Sequence, residues 1–298
     1  MTDATVAAEF EEKQFETALN DELKDVGSLI YAPGQVLEHG LGIDAALVSH
    51  DTRLWTLFNS PPNALYPLMR TPAGLRLRPE YWAQLDQALP YFPQTQFNVF
   101  LQHKRPHYSS SAGCKEWSFW NGPYFQYNVV DHQQAALEKL AVLAAGQALV
   151  AYSCPALHTY EEFWNQVEAR TLVDATNFAH ATDLSGHGKY TFQSAGKLGL
   201  GHSEPESILP LNLRQELGRL REVAPAASTV EALISFDKVV RQAAKEAELG
   251  HRHIALTERF GTDVSAVASA VLSIGAFAHL TGSSWLLAVT PDSLKAFR

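Results

Sequence analysis

Gln102 and Lys104 stand two residues apart at the end of the stretch Phe97 to Lys104, FNVFLQHK. Phe97, Val99 and Leu101 alternate there with Asn98, Phe100, Gln102 and Lys104, the period-2 pattern of a β-strand. Successive strand side chains point to opposite faces, so an amide oxygen and an ammonium would project together from one side of the strand's end. Packing asks for neither group at such a place. With an upstream acid they would form a site for a divalent metal and a phosphate. Arg105 and Pro106 follow at once, and proline, which lacks a donor N–H, suits a strand's end. The plain alternative is a strand running out into solvent, and short motifs carry a high false-positive rate.

The elements that would position these groups can be read from periodicity. A helix is expected from about Ala4 to Val26, since Val6, Phe10, Phe15, Leu19, Leu23 and Val26 recur near every 3.6 residues and Gly27 follows. A short helix over Pro33 to His39 leads into a strand, Ile43 to Ser49, that carries Asp44. A second strand follows over Arg53 to Phe58. An unpaired carboxylate inside an apolar strand is costly, which favours a function for Asp44. Residues 59–96 contain seven prolines and read as an irregular insertion, with room for one helix at Glu80 to Leu89. After Lys104 the sequence predicts a Ser-rich loop over Tyr108 to Gly113 and an aromatic segment, Trp117 to Tyr127, finishing in a strand. A helix over Gln133 to Gly146, a strand over Ala148 to Ser153 and a helix over Tyr160 to Ala169 come next. From Thr171 the pattern loosens into a Gly-, Ser- and His-rich stretch with a hairpin or flap near Lys189 to Gln193. Helices over Glu206–Val223, Thr229–Leu249 and Asp263–Leu280 and a strand over Ser284 to Val289 close the chain. The alternation of strands and helices argues for an α/β core with a mixed sheet.

Composition sets the outer bounds. The chain has 298 residues, 46% hydrophobic and 18% charged, which describes a globular protein with ample core material. Two cysteines, Cys114 and Cys154, give neither a disulfide framework nor a thiolate zinc site and fit a reducing, cytoplasmic setting. The acidic start, MTDATVAAEFEEK, is not expected to be a signal peptide. The longest apolar candidate, Val264 to Leu280, is interrupted by Ser265, Ser269, Ser273 and His279, so no membrane span is expected. The net charge of −9 counts against indiscriminate binding to nucleic acid. It leaves room for a local basic groove made by Lys104, Arg105, Lys115 and the loop arginines Arg70, Arg76 and Arg78.

Taken together, QFETALNDELKDVG (14–27), GIDAALV (42–48), VFLQHKRP (99–106) and ALVAYSCPALHTYEEF (148–163) resemble the PD-(D/E)xK, or restriction-endonuclease-like, nucleases. The likeness is to the branches with Gln-x-Lys, among them modified-DNA restriction enzymes and some Holliday-junction resolvases, and it covers about the first 175 residues. It implies an α/β fold with a restriction-endonuclease-like mixed central sheet flanked by helices. Residues 1–175 would form the nuclease-like core, and 176–298 a flap-like region and helical C-terminal subdomain. It further implies a metal-dependent nuclease hydrolysing phosphodiester bonds in DNA, with RNA not excluded, acting in bacterial defence or DNA processing. Mg²⁺ or Mn²⁺ would be held by Asp44, Gln102 and the His103 backbone carbonyl, with Lys104 orienting the attacking water. Glutamine in place of glutamate removes one negative charge from the metal's shell, so a further acid is wanted. Glu16, in a Phe-Glu pair on the first helix, and Glu38, leading to the Asp44 strand, are level candidates, with Glu22 behind them.

Two other features weigh less. His187, His202, Glu204 and Glu206 are metal-ligating types, but HGKY and HSEPE lack the i, i+4 spacing of a helical zinc motif. A flap offering Lys189, Lys197 and His202 to phosphate suits them better. The aromatics of 117–127 could stack on bases, although such segments more often fill a core. The competing expectation for the whole chain is a catalytically silent subunit of the same fold, bound to a partner protein or to itself. It draws on the acidic charge, the Gln replacing an acid and the helical tail.

Overall fold

The computed structural model describes residues 5–23, 30–31, 95–223, 229–258 and 265–289. The strands are β1 (Thr5–Ala7), β2 (Ile30–Tyr31), β3 (Thr95–His103), β4 (His107–Ser109), β5 (Tyr124–Asn128), β6 (Ala148–Pro155), β7 (Thr176–His180), β8 (Lys189–Phe192), β9 (Gly199–His202), β10 (Glu206–Ile208) and β11 (Ser284–Val289). The helices are α1 (Glu12–Leu23), α2 (Trp117–Trp120), α3 (Asp131–Leu143), α4 (Tyr160–Ala169), α5 (Leu213–Val223), α6 (Thr229–Glu246), α7 (Gly250–Glu258) and α8 (Ala266–Thr281), with a 3₁₀ turn at Ala181–Leu184. The class is mixed α/β. The expected strands at 43–49 and 53–58, the helices at 33–39 and 80–89, and nearly all of the insertion 59–96 lie outside the described residues.

A five-stranded sheet, ordered β2-β11-β3-β6-β7, holds the Gln-x-Lys strand at its centre. β3 runs parallel to β6, with Gln102 opposite Tyr152 and His103 opposite Ser153, while the other neighbours are antiparallel. The alternation that identified β3 sorts its side chains into two cores. Phe97, Val99 and Leu101 face Phe15, Leu19 and Leu23 of α1, Phe163 of α4 and Leu217 of α5. Phe100, on the other face, packs with Phe236 of α6 and Phe277 of α8 at ring distances of 6.0 and 6.1 Å. The second sheet is six-stranded and antiparallel, β1-β4-β5-β8-β9-β10, and Tyr127, Tyr190 and Phe192 carry its inner face into the same core as Phe100.

Several expectations are corrected by this packing. The N-terminal helix begins at Glu12, because residues 5–7 pair with β4 as an edge strand. Part of the Ser-rich loop is β4, and the helix expected from Glu206 is a strand followed by α5. The stretch expected as a flap is three strands of the six-stranded sheet, held by the buried Tyr190 and Phe192. β11, the last strand, lies inside the sheet of β3, and α6 and α8 cover that sheet. Both long edges of β3 are thereby taken, by β11 and β6, so the strand beside the Gln-x-Lys strand on the β11 side comes from the C-terminus. Among the described residues, no helix is long and apolar enough to cross a membrane.

Candidate functional site

Parallel strands joined through a helix leave a crevice beyond their carboxyl ends, where open α/β sheets tend to bind ligands. Here β3 ends with Gln102, His103 and Lys104, and β6 with Ser153 and Cys154. Gln102, Lys104, Tyr152 and Cys154 share the α3 face, while His103 and Ser153 share the α1 face, because side chains alternate.

On the α3 face Gln102 is 2% exposed, and its Nε2 donates to Gln133 Oε1 at 2.6 Å. Its Oε1 is buried without a hydrogen-bond partner. Lys104 is 9% exposed, and its ammonium makes no hydrogen bond or ion pair with any described residue. Nζ instead lies 5.7 Å from the centroid of the Tyr152 ring, a cation–π distance. Burial lowers the Lys104 pKa, and the carboxylate of Glu12 opposes that shift. The Tyr152 hydroxyl is also buried without a partner, and burial raises its pKa, which keeps it a neutral donor. An amide oxygen and a phenol without hydrogen-bond partners, and an ammonium with no partner among the described residues, thus lie around one strand end. Buried polar groups are normally paired, and such a cluster is suited to a ligand bearing both cationic and anionic groups.

Glu12 is the acid that sequence reasoning missed. It begins α1, whose start hangs over the end of β3, and its carboxylate accepts the Arg105 backbone N–H at 3.4 Å. Desolvation raises its pKa, only partly offset by Lys104 and that N–H. Its sequence signal is a generic one, an acid in the first turn of a helix.

Glu16 itself sits on the other side of the sheet from Gln102 and Lys104. It accepts from the Ser284 hydroxyl at 2.8 Å and from Lys13 at 3.0 Å. Desolvation would raise its pKa, but His103, Lys13 and Ser284 together hold it below the usual carboxylate range. His103 is 2% exposed, with Nδ1 2.8 Å from Ser153 Oγ, and burial pushes its pKa down to about 4, so the ring is neutral at pH 7. Glu22 is structural: its carboxylate receives the backbone N–H groups of Leu172 at 2.7 Å and Val173 at 3.0 Å.

The expected basic groove is not assembled by its described members. Arg105 donates from Nε and Nη2 to the Ala8 carbonyl at 3.0 and 2.5 Å and pairs with Glu11 at 3.0 Å, which fastens the chain before α1. Lys189 pairs with Glu116 at 2.6 Å on the six-stranded sheet, where His202 lies 3.6 Å from the same carboxylate. Lys115 is exposed beside that pair. Arg105 and Lys189 are spent on neighbouring acids and carbonyls, because burying a cation requires a partner. Asp44, Glu38, Arg70, Arg76 and Arg78 lie outside the described residues.

A divalent cation fits the α3-face cluster in part. On that face the orphaned Gln102 Oε1 is a hard oxygen donor of the kind Mg²⁺ prefers, while the Glu12 carboxylate, on α1, is near Lys104. Among the described residues no group of three or more His, Cys, Asp or Glu could hold a metal ion, so a complete shell needs water, substrate or residues such as Asp44. A separate cleft of about 600 Å³ is lined by His180, Asp183, Gln215, Glu216, Arg219 and Glu222. Its arginine is bound by Glu216, and it presents no buried orphaned polar atom. Compared with protein-family models, curated proteins and solved structures, the chain gives no match.

Proposed function

We propose that the carboxyl end of β3 is the active site of a metal-dependent nuclease that hydrolyses phosphodiester bonds in DNA. The observation that supports this reading is the presence on one face of the nearly buried Lys104 ammonium, without a partner among the described residues, and the orphaned oxygen of Gln102. Gln102 Oε1 would hold the metal from the α3 face, with Glu12 at the strand end and Asp44 and Glu38 as the candidate acids. Such an ion, when bound, supplies a Lewis acid for the phosphate and acidifies water. Lys104 would place its positive charge against the phosphate oxygens as they gain charge, in a site where burial strengthens the interaction. Glu12, whose carboxylate is raised above the usual range by desolvation, would be a proton acceptor beside Lys104. The neutral Tyr152 hydroxyl would donate to the same phosphate.

One observation favours a second reading, in which the site binds an anionic partner without cutting it. Both edges of β3 are filled by β11 and β6, and the metal-binding acids among the described residues are few. Incubation with plasmid, linear and single-stranded DNA and with RNA, in Mg²⁺ or Mn²⁺ against EDTA, separates the two. Metal-dependent cutting that disappears in Lys104→Ala supports the nuclease. Absence of cutting on every substrate supports the binding subunit.

A further inference from the structure

Three elements meet at Gln102: the end of β3, the first turn of α3 and the turn between α8 and β11. Gln133, the third residue of α3, accepts the Gln102 amide N–H at 2.6 Å. Gly282, with φ of +63°, closes the other side, and a Cβ there would stand 3.1 Å from Gln133 Nε2 and 3.6 Å from Gln102 Nε2. A side-chain amide can present either oxygen or nitrogen to a site, and only its partners decide which. With the Gln133 oxygen taking the NH₂ group, a reversed Gln102 would set two carbonyl oxygens against each other. In this placement the Gln102 NH₂ group is paired and its buried oxygen is the end without a partner.

We propose that Gln133 is a positioning residue that fixes the Gln102 amide with its oxygen turned toward the site. What that oxygen binds rests on the nuclease reading; the pairing itself does not. The device makes a neutral glutamine serve as a dedicated acceptor, suited to a cation, where an unfixed amide could equally turn its NH₂ toward an anion. Gly282 borders it, since a Cβ there would press on Gln133 Nε2, and the positive φ independently favours glycine.

The test uses ¹⁵N-labelled full-length protein, with the Gln102 side-chain amide signal identified by its loss in Gln102→Glu. Solvent exchange of that signal reports the pairing, and Mn²⁺ affinity, read by electron paramagnetic resonance, reports what the oxygen does. Gln133→Met, with Gln133→Leu as a second apolar variant should the first not fold, is expected to lose the exchange protection. It should also weaken Mn²⁺ binding about 10- to 100-fold, as loss of an outer-shell partner does. Gln133→Glu, which can only accept, should keep both. Protection that survives in the apolar variants, or that falls equally in Gln133→Glu, overturns the proposal. Protection that responds as expected in a protein binding no Mn²⁺ upholds the pairing and removes the metal from the proposed function.

Discussion

Lys104 and Glu12 carry the account at the level of single residues. A nearly buried ammonium with no hydrogen-bonding partner among the described residues adds little to stability that an apolar chain would not, so its presence calls for a ligand or for an acid outside them. Glu12 lies on the exposed start of α1, and its replacement should leave folding intact. Glu12→Gln is expected to lower metal-dependent cleavage at least about 10-fold, within the usual contribution of acid–base groups. Its melting temperature should match the parent protein's, and unchanged cleavage would remove Glu12 from the site. Gln102 and Lys104 were legible as a pair because the two-residue spacing alone puts them on one face. Glu12 was harder to see, since its importance comes from where α1 begins, and that depends on residues 5–7 joining a strand more than 100 residues away.

Elements whose pattern is local were readable. The helix over 160–169 matches α4, which Thr159 and Glu162 close with a reciprocal capping box, and the strand over 284–289 matches β11. β7 through β10 were obscured, because short strands rich in Gly and His lack clean alternation. Gly199 has a specific reason to be there. The Tyr190 ring crosses over it so that its hydroxyl can reach Asn177 Oδ1 at 3.1 Å, joining the six-stranded sheet to β7 of the other. A Cβ at 199 would overlap that ring. Gly199→Ala should therefore destabilise the protein by about 1–3 kcal/mol, the ordinary cost of overpacking, as measured by urea unfolding. Its cleavage per folded molecule should not change.

For the molecule as a whole, the pairing order of the strands was beyond sequence reasoning. Nothing in SWLLAV says that it lies between β2 and β3, and that placement brings the C-terminal segment to the site through Gly282 and to Glu16 on the opposite face through Ser284. Global stability should also report the buried His103. Its pKa is depressed from 6.5 in the unfolded chain to about 4 in the fold, so the unfolded state takes up the proton first. Stability should be full above about pH 6.5 and fall as the pH drops toward 4, with His103 accounting for up to about 3 kcal/mol. Glu16, whose pKa is lowered, acts in the same direction near the acid end. Urea unfolding at pH 7 and pH 4.5 should show a smaller loss for His103→Gln than for the parent, and an identical loss would contradict this origin. The central claim is that Lys104 is kept for chemistry. It is tested most directly by comparing Lys104→Met with the parent protein in Mn²⁺-dependent plasmid cleavage, alongside thermal unfolding. The account predicts a melting temperature equal to or above the parent's and cleavage reduced at least about 100-fold, the scale of a lost electrostatic contact in the transition state. Parent-like cleavage by a folded Lys104→Met protein would contradict it.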